Sequence, residues 1–287
     1  MLVKNQLSLF LSLSMNKEFQ KIVDLALDED LGSGDVSAIL LPDEQAIATI
    51  ICRENAIICG IEFAQATFTS LDKDIKISWQ VKDGDSVRSS QVLATLSGSS
   101  RSIISGERVA LNFLQTLSSV ATQTNLMVTK IAHTKAKLLD TRKTLPGLRL
   151  AQKYAVKCGG GNNHRLGLYD CVMLKENHII AFGSITNAVK NAKEQYPKLD
   201  LIVEVETLDQ LAEVLKLEGV TRALCDNFSH QELAQAVQMA FGKLPLEASG
   251  NIDLETLVAV AETGVDFIST GSITKDIKAV DLSLRFS

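Results

Sequence analysis

The sequence lacks several features that would assign it to a well-known class. It has no basic excess, since its formal net charge is −5 at pH 7, whereas a protein that binds nucleic acid or an anionic membrane presents a basic surface. No segment contains the roughly 18 consecutive apolar residues that a membrane span requires. No G-x-G-x-x-G follows a predicted strand and no Walker loop occurs, which excludes nucleotide folds of those types. We therefore expect neither nucleic acid nor a membrane as a partner.

Cysteine pairs are missing as well. The chain has 5 cysteines, an odd number, and no two form a C-x-x-C pair, so neither a disulfide framework nor a zinc knuckle is predicted. Reduced thiols indicate a cytoplasmic protein. The N-terminus has a short apolar run that is interrupted by serines and lacks an A-x-A-like cleavage site. We interpret residues 1–14 as a flexible extension, with Met15 as an alternative start.

From residue 138 onward, short β-branched runs alternate with amphipathic helical stretches. A strand recurs about every 20 to 30 residues with a helix in each interval, which is typical of βα units and a parallel sheet. Ser184, Thr207 and Ser229 are expected to cap three of the helices. The predicted strands are 138–141, 171–175, 201–205, 222–225, 244–248 and 267–270, and the predicted helices are 148–158, 185–196, 207–218, 230–241 and 253–263.

Each predicted strand ends in polar or charged residues. A barrel collects the C-terminal ends of all its strands at one active site, whereas an open doubly wound sheet places ligands only at its switch point. Six strands that end this way favour the barrel, and six is fewer than eight, so we expect an incomplete one. The residues are Arg142, Lys143, Lys175, Glu204, Glu206, Asp226, Asn227, Glu247, Ser249, Ser269, Gly271 and Ser272.

The first 114 residues follow a different pattern. They predict a helix at 17–29 and strands at 46–52 and 75–81. Glycine and alternating valines within 81–98 predict tight antiparallel hairpins. A long helix at 103–131 with one apolar face is expected to join this separate α/β domain to the βα units.

Four cations lie at strand ends or beside a glycine-rich loop: Arg142, Lys143, Arg165 and Lys175. Most Arg and Lys residues are solvated surface side chains, and the three glycines of CGGGNNHR (158–165) could form only a helix cap and a flexible loop. A concentrated positive cluster, however, needs an anion to offset its own repulsion. The arginine fork matches a carboxylate, while lysine and exposed backbone N–H groups suit phosphate.

Two carboxylates, Glu204 and Asp226, end neighbouring predicted strands. They either join the cations in a structural ion-pair network or hold Mg²⁺, usually through water, against substrate phosphates, and the sequence leaves these interpretations about even. The small-residue turns ASGN (248–251) and STGS (269–272) precede helix starts after the last two strands. Barrels commonly bind phosphate at this position.

In combination these motifs resemble the quinolinate phosphoribosyltransferase family. The resemblance covers the chain from about Met15 onward and rests on the set of spaced motifs, no one of which would be specific alone. The motifs are EDLGSGDVS (29–37), GERVALN (106–112), DTRKTLPGLR (140–149), KYAVKCGGGNNHRLGLYDCVMLKENH (153–178), VEVE (203–206), LCDNF (224–228), EASGNI (247–252) and GSITKDIKAVDLSLRF (271–286).

The resemblance implies a reaction in de novo NAD synthesis. Quinolinate and phosphoribosyl pyrophosphate give nicotinate mononucleotide, pyrophosphate and CO₂. It also implies an incomplete (β/α) barrel of parallel strands at 115–274, a smaller N-terminal α/β sandwich domain at 1–114, and a C-terminal segment, 275–287, that returns to the smaller domain. The expected assembly is a homodimer with a shared active site, or a higher oligomer.

The resemblance further assigns site residues. Quinolinate is expected to bind Arg142, His164, Arg165 and Lys175, with Arg108 reaching in from the partner subunit. Ribose and pyrophosphate are expected to meet Lys143, Glu204, Asp226, Ser249, Gly250, Asn251, Gly271 and Ser272. Of these, Lys143, Glu204 and Asp226 are the expected catalytic residues, and the two carboxylates are the expected Mg²⁺ site, mainly through water.

Other functions are compatible with parts of the sequence. The nearest is a related phosphoribosyltransferase of the molybdenum-transport-linked branch that acts on another acid. Lys175 at a strand end could form a Schiff base, as in barrel aldolases, and we expect His178 to cap or orient its loop. Residues 81–96 resemble a lipoyl or biotinyl carrier module, although no lysine occupies the expected hairpin tip.

Overall fold

The computed structural model describes residues 18–287. The predicted extension at 1–14 and the first residue of the predicted helix at 17–29 lie outside the described residues. The chain divides into two compact units. The first unit contains the described residues up to 123 together with 145–159 and 277–287, and the second contains 124–144 and 160–276.

The first unit is built on an antiparallel sheet of order β12-β1-β5-β3. Its elements are α1 (18–31), a 3-10 turn (Ala38–Leu40), β1 (Gln45–Cys52), β2 (Ala56–Ile57), α2 (Ile61–Leu71), β3 (Lys76–Trp79), β4 (Ser86–Val87), β5 (Val92–Ser99), α3 (Ser100–Lys130, which continues into the second unit), α4 (Arg149–Cys158) and β12 (Leu282–Phe286).

One face of this sheet forms the core of the first unit. Alternate residues of β1, namely Ala48, Ile50 and Cys52, are fully buried, as expected for a strand with one apolar face. They belong to the same apolar cluster as Phe68 of α2 and Leu96 of β5. The C-terminal strand β12 pairs antiparallel with β1, so the end of the chain returns to the N-terminal sheet.

The segment 81–98 differs from its prediction. It does not form tight hairpins, because β5 pairs with β1 and β3 while the short β4 pairs with β2. Asp83 lies in the connection, and its Oδ1 accepts the N–H groups of Gly60 and Ile61 at 3.0 and 3.1 Å. These bonds hold the connection against the start of α2, a helix that the sequence analysis did not predict.

The second unit is an incomplete (β/α) barrel. Its six strands are all parallel and run in the order β6-β11-β10-β9-β8-β7, with β6 and β7 left as the two edges. The elements are β6 (Lys137–Leu139), β7 (Val172–Leu174), α5 (Glu176–Phe182), α6 (Ile185–Gln195), β8 (Leu201–Val205), α7 (Leu208–Val214), β9 (Arg222–Asp226), α8 (His230–Ala240), β10 (Leu246–Ser249), α9 (Leu257–Glu262), β11 (Phe267–Ser269) and α10 (Ser272–Lys275).

All six predicted barrel strands are present, and the expected helix caps are confirmed. The side chains of Ser184, Thr207 and Ser229 each accept a backbone N–H at the start of α6, α7 and α8. Helix α9 begins at Leu257 rather than 253, because the carboxylate of Asp253 accepts the N–H groups of residues 255 and 256 and forms a turn first. Helix α7 ends at Val214 rather than 218. Beyond it, the N–H groups of residues 216 and 217 bond to carbonyl oxygens three residues earlier, as in tight turns and not as in an α-helix.

The units separate at 123–124, not at the predicted 114–115. The physical reason is that α3 runs without a break from Ser100 to Lys130. Helix α4, which was expected in the barrel domain, groups with the first unit. Its Tyr154 hydroxyl donates to Oδ2 of Asp83 at 2.9 Å, which ties this helix to the connection before β4.

Candidate active site

A cavity of about 290 Å³ opens at the C-terminal ends of the barrel strands. All its lining residues belong to the second unit. It brings together all four predicted cations and both predicted carboxylates. The lining residues are Thr141, Arg142, Lys143, His164, Arg165, Met173, Lys175, Glu204, Leu224, Asp226, Glu247, Ser249 and Ser269.

The alternation of each strand explains why these side chains converge. Residues two apart point to the same face, and the register pairs Glu204 with Leu224 and Leu224 with Glu247. An apolar layer that includes Cys171, Ile202 and Leu224 fills the barrel interior. The charged residues that follow on the same faces therefore meet above that layer, at the carboxyl ends of the strands.

The four cations come from three segments: the end of β6, the glycine-rich loop and the end of β7. Arg142 and Lys143 follow β6 and are exposed, whereas Arg165 is partly buried. The Nη1 of Arg165 donates to the carbonyl oxygen of Cys171 at 3.3 Å. Burial and the neighbouring charge of Arg142 both lower the pKa of Arg165. Two guanidinium groups that disfavour each other's charge form a natural site for an anion.

The carboxylates share the cavity with Lys175. The Nζ of Lys175 contacts Oε2 of Glu204, so part of the predicted ion-pair network is present. Burial raises the pKa of Asp226, and the nearby charge of Glu204 raises it further. Because the two carboxylates repel and offer only oxygen donors, they suit a hard divalent cation such as Mg²⁺.

The glycine-rich loop is fixed by a buried carboxylate. Asp140 is fully buried at the end of β6. Its Oδ2 accepts from Nδ2 of Asn163 at 2.6 Å, and its Oδ1 accepts from the backbone N–H of His164 at 2.8 Å. The loop therefore enters the cavity in one conformation, with His164 and Arg165 side by side.

The predicted phosphate-binding residues lie at the ends of β10 and β11. Ser249 lines both the candidate active-site cavity and a neighbouring cavity of about 390 Å³ beside the start of α8, and Gly250 and Asn251 line the neighbouring cavity. Gly271 lies against the side chain of Lys143, where a Cβ would be 2.8 Å from Cδ. The hydroxyl of Ser272 is 3.0 Å from that of Thr270.

Two other predicted residues have clear positions. Arg108 is exposed on α3 in the first unit. The Nδ1 of His178 accepts the backbone N–H of Lys175 at 3.1 Å, so the expectation that His178 orients the Lys175 loop is confirmed.

Three buried or half-buried charges at the site were not predicted as functional: Asp140, Arg222 and Glu247. Glu247 has no exposed surface, and its Oε2 accepts from Nη1 of Arg222 at 2.7 Å. Arg222 begins β9, at the opposite end from the polar strand ends that the sequence analysis considered. Strand alternation, which places Arg222, Leu224 and Asp226 on one face, is the signal that could have indicated it.

Comparisons with known proteins identify the family. The chain matches the family of quinolinate phosphoribosyl transferase N-terminal domains over residues 35–118 and that of the C-terminal domains over residues 120–285. The chain belongs to the quinolinate phosphoribosyltransferase family. A structure titled as the nicotinate-nucleotide pyrophosphorylase from Francisella tularensis is 47% identical, with a TM-score of 0.93, and the match covers 95% of this chain and 97% of that one.

Relatives within the quinolinate phosphoribosyltransferase family span plants and bacteria. The Arabidopsis thaliana protein named nicotinate-nucleotide pyrophosphorylase [carboxylating], chloroplastic, is 40% identical over 93% of this chain and 82% of the relative. A Bacillus subtilis protein named probable nicotinate-nucleotide pyrophosphorylase [carboxylating] is 38% identical over 93% of both. These names favour the quinolinate reaction over the molybdenum-transport-linked alternative. Across residues 18–287, no helix has the length and apolar character to span a membrane.

Proposed function

We propose that the chain catalyses phosphoribosyl transfer from phosphoribosyl pyrophosphate to quinolinate, with decarboxylation, giving nicotinate mononucleotide, pyrophosphate and CO₂. The observation that carries this proposal is the cavity at the strand ends, where Arg142, Arg165 and Lys175 meet Glu204 and Asp226. The cations suit a small dicarboxylate, and the two carboxylates suit the ribose and a metal-bound pyrophosphate. Family membership makes quinolinate the dicarboxylate to test.

The two arginines are assigned to the two carboxylates of quinolinate. Each guanidinium can form paired hydrogen bonds with one carboxylate. Burial and the charge of Arg142 lower the pKa of Arg165, and the negative charge of bound quinolinate would offset both effects. Nicotinate lacks one carboxylate and would leave one of these two arginines without a substrate partner, so the site should discriminate strongly between the two acids.

The two carboxylates are assigned to stabilising the transition state. Cleavage of the bond between C1 of the ribose and the pyrophosphate oxygen leaves positive charge on the ribose, which Glu204 and Asp226 stabilise. Lys143 and Ser249 are assigned to binding the departing pyrophosphate. The pyridine nitrogen forms the new bond to C1 and becomes a pyridinium. The bond to the 2-carboxylate then breaks, CO₂ leaves, and the electron pair at C2 is stabilised by the adjacent positive nitrogen until C2 takes up a proton.

Glu204 and Asp226 are also the residues that would hold Mg²⁺. Burial and the nearby charge of Glu204 raise the pKa of Asp226, and a bound cation would offset both effects. When bound, Mg²⁺ supplies charge neutralisation for the pyrophosphate group. Lys175, which contacts Glu204, keeps that carboxylate partly neutralised before substrates bind.

The assembly proposed is a homodimer, or a higher oligomer, in which Arg108 of one protomer completes the site of the other. In its support, Arg108 is exposed, and the cavity is lined by the second unit alone while Arg108 belongs to the first. A cytoplasmic location stays a prediction.

The proposed function is tested by assaying purified protein with Mg²⁺, phosphoribosyl pyrophosphate and quinolinate. We expect pyrophosphate and CO₂ to appear in equal amounts, and neither to appear when one substrate is omitted. Replacing quinolinate by nicotinate or another heterocyclic acid tests the alternative branch. Background release with quinolinate but turnover of another acid would contradict the proposal.

A further inference from the structure

Beneath the candidate active site, one carboxylate is buried completely. Glu247, in β10, has no exposed surface. Its Oε2 accepts from Nη1 of Arg222 at 2.7 Å, and its Oε1 lies 3.3 Å from Nε2 of His164. Burial opposes ionisation of Glu247, but its contacts with His164, Ser269 and Arg222 outweigh burial and lower its pKa. An ionised group in this position is maintained only by such partners.

The ring of His164 has a protein group beside each of its nitrogens. Its Nδ1 accepts the backbone N–H of Arg165 at 2.7 Å, so Nδ1 carries a lone pair and not a proton. Its Nε2 faces the carboxylate of Glu247. With the proton on Nε2 this contact is attractive, and in the other tautomer two lone pairs would face each other. The side chain of His164 is only 7% exposed, so these two neighbours, and not solvent, surround its ring nitrogens.

Arg222 anchors this arrangement from the other end of the barrel. It lies at the start of β9, and its guanidinium is 4.0 Å from the ring centroid of Phe267, a distance at which a cation is attracted to an aromatic face. A second cavity, of about 400 Å³, surrounds Arg222 and also includes His164 and Arg165 in its lining. His164 and Arg165 thus line both this cavity and the candidate active site.

We propose that Glu247 is a positioning residue, which holds His164 as the neutral Nε2–H tautomer and thereby fixes Arg165 in the active site. In this arrangement Nδ1 accepts the Arg165 N–H and Nε2 faces Glu247 at 3.3 Å. Arg165, and not His164, supplies the positive charge to the substrate. The effect on quinolinate rests on the proposed function, whereas the tautomer and its dependence on Glu247 do not.

The tautomer is measured directly by NMR of protein labelled with ¹⁵N at histidine. The other three histidines are removed one at a time, as His133→Gln, His178→Gln and His230→Gln, which assigns the His164 signal by elimination without altering His164. We expect an unprotonated Nδ1 and a protonated Nε2 at neutral pH. A protonated Nδ1, in the other tautomer or in an imidazolium, would overturn the proposal.

The positioning role is tested with Glu247→Gln, which keeps the shape of the side chain and removes its charge. The matched control is Glu262→Gln, because Glu262 also contacts a histidine, His133, at 3.1 Å, but on the exposed surface. We expect Glu247→Gln to raise the KM for quinolinate about tenfold or more, with a smaller change in the KM for phosphoribosyl pyrophosphate, and to change the His164 signals. Glu262→Gln should change none of these.

The outcomes separate the two proposals. A folded Glu247→Gln variant with unchanged His164 signals and an unchanged KM would contradict the role of Glu247. If that variant does not fold, the tautomer of His164 measured in the unaltered protein decides whether the proposal holds. A wild-type protein that shows the Nε2–H tautomer but no turnover of quinolinate would refute the proposed function and leave the positioning of His164 intact.

Discussion

Arg142 and Arg165 are expected to contribute most of the affinity for the dicarboxylate. Both line the cavity, and the charge of Arg142 is among the causes that lower the pKa of Arg165. Replacing either with alanine should lower kcat/KM for quinolinate by about 100-fold or more, because one substrate carboxylate loses its charged partner. Steady-state kinetics measure this loss.

The control for these variants is Arg88→Ala. Arg88 is an exposed arginine of the first unit, and its backbone N–H and carbonyl oxygen both bond to Gln91. Its replacement should leave kcat/KM within about twofold of wild type. Near-wild-type activity in both Arg142→Ala and Arg165→Ala would show that the anion site lies elsewhere.

Asp226 is expected to lower the stability of the free protein while it contributes to activity. Burial and Glu204 raise its pKa in the folded protein. A group whose pKa is raised by folding stabilises the protein fully only at a pH below its pKa in the unfolded chain, about 4. This stability is lost as the pH rises through the pKa of the folded protein. Asp226→Asn should therefore stabilise the free protein at pH 7 by about 1 kcal/mol or less, since partial exposure screens the effect, while lowering activity.

Urea unfolding of the wild-type and Asp226→Asn proteins tests this prediction. It is measured between about pH 4 and 7, the range in which the carboxylate changes its charge. The difference in the free energy of unfolding should shrink as the pH falls. An Asp226→Asn protein that is less stable than wild type at pH 7 would show that the carboxylate is well paired in the free protein.

The barrel strands were predictable because each carries a strong local pattern. Strand β8 is buried at four of its five positions, and short β-branched runs of this kind are typical of parallel strands covered on both sides. Ser229 with Glu232 forms the predicted capping box of α8. Patterns that a few neighbouring residues determine can be predicted from the sequence alone.

Elements that depend on distant partners were not predictable. Helix α10 has four residues and β2 and β4 have two each, too few for a hydrophobic period to appear. The pairing of β4 with β2 lies beside the bond that Asp83 makes to Gly60 at the start of α2, and both join residues that are distant in the sequence. The roles of Asp140 and Glu247 likewise require the register of the strands, which the sequence does not state.

The junction between β11 and α10 holds Lys143 in position. Thr274 of α10 donates to the carbonyl oxygen of Lys143 at 2.7 Å, and Gly271 lies against its side chain. Gly271→Ala should displace the flexible lysine side chain at little cost, changing the free energy of unfolding by about 0.5 kcal/mol or less. It should raise the KM for phosphoribosyl pyrophosphate, as measured by kinetics.

A double variant isolates this effect. If Gly271 acts only by leaving room for Lys143, then Gly271→Ala combined with Lys143→Ala should be no worse than Lys143→Ala alone. Additive losses in kcat/KM would mean that Gly271 contributes by another route, such as direct contact with the substrate.

In the whole molecule, the exposed position of Arg108 leads to a prediction about assembly. An Arg108→Ala chain and an Arg142→Ala chain should each be nearly inactive. Mixed and allowed to exchange, they should recover about a quarter of wild-type activity, because half of the dimers are then hybrids with one intact site of two. The measurement is activity after co-refolding or subunit exchange.

Two controls accompany the mixing experiment. Each variant mixed with itself should gain nothing, and Arg88→Ala mixed with Arg142→Ala should give only the activity of the Arg88→Ala chains. Hybrid dimers that form, as size and mass measurements would show, but that recover no activity would contradict a site shared between protomers.

The most direct test of the dicarboxylate site is a thermal-shift titration of the wild-type protein with quinolinate and, in parallel, nicotinate. A ligand that binds only the native state at about 100 times its Kd stabilises that state by about 2.7 kcal/mol, which raises the Tm by several degrees. We expect quinolinate to give this increase and nicotinate, at the same concentrations, to give little or none. Equal shifts with the two acids, or no shift with quinolinate, would contradict a cavity built to bind two carboxylates.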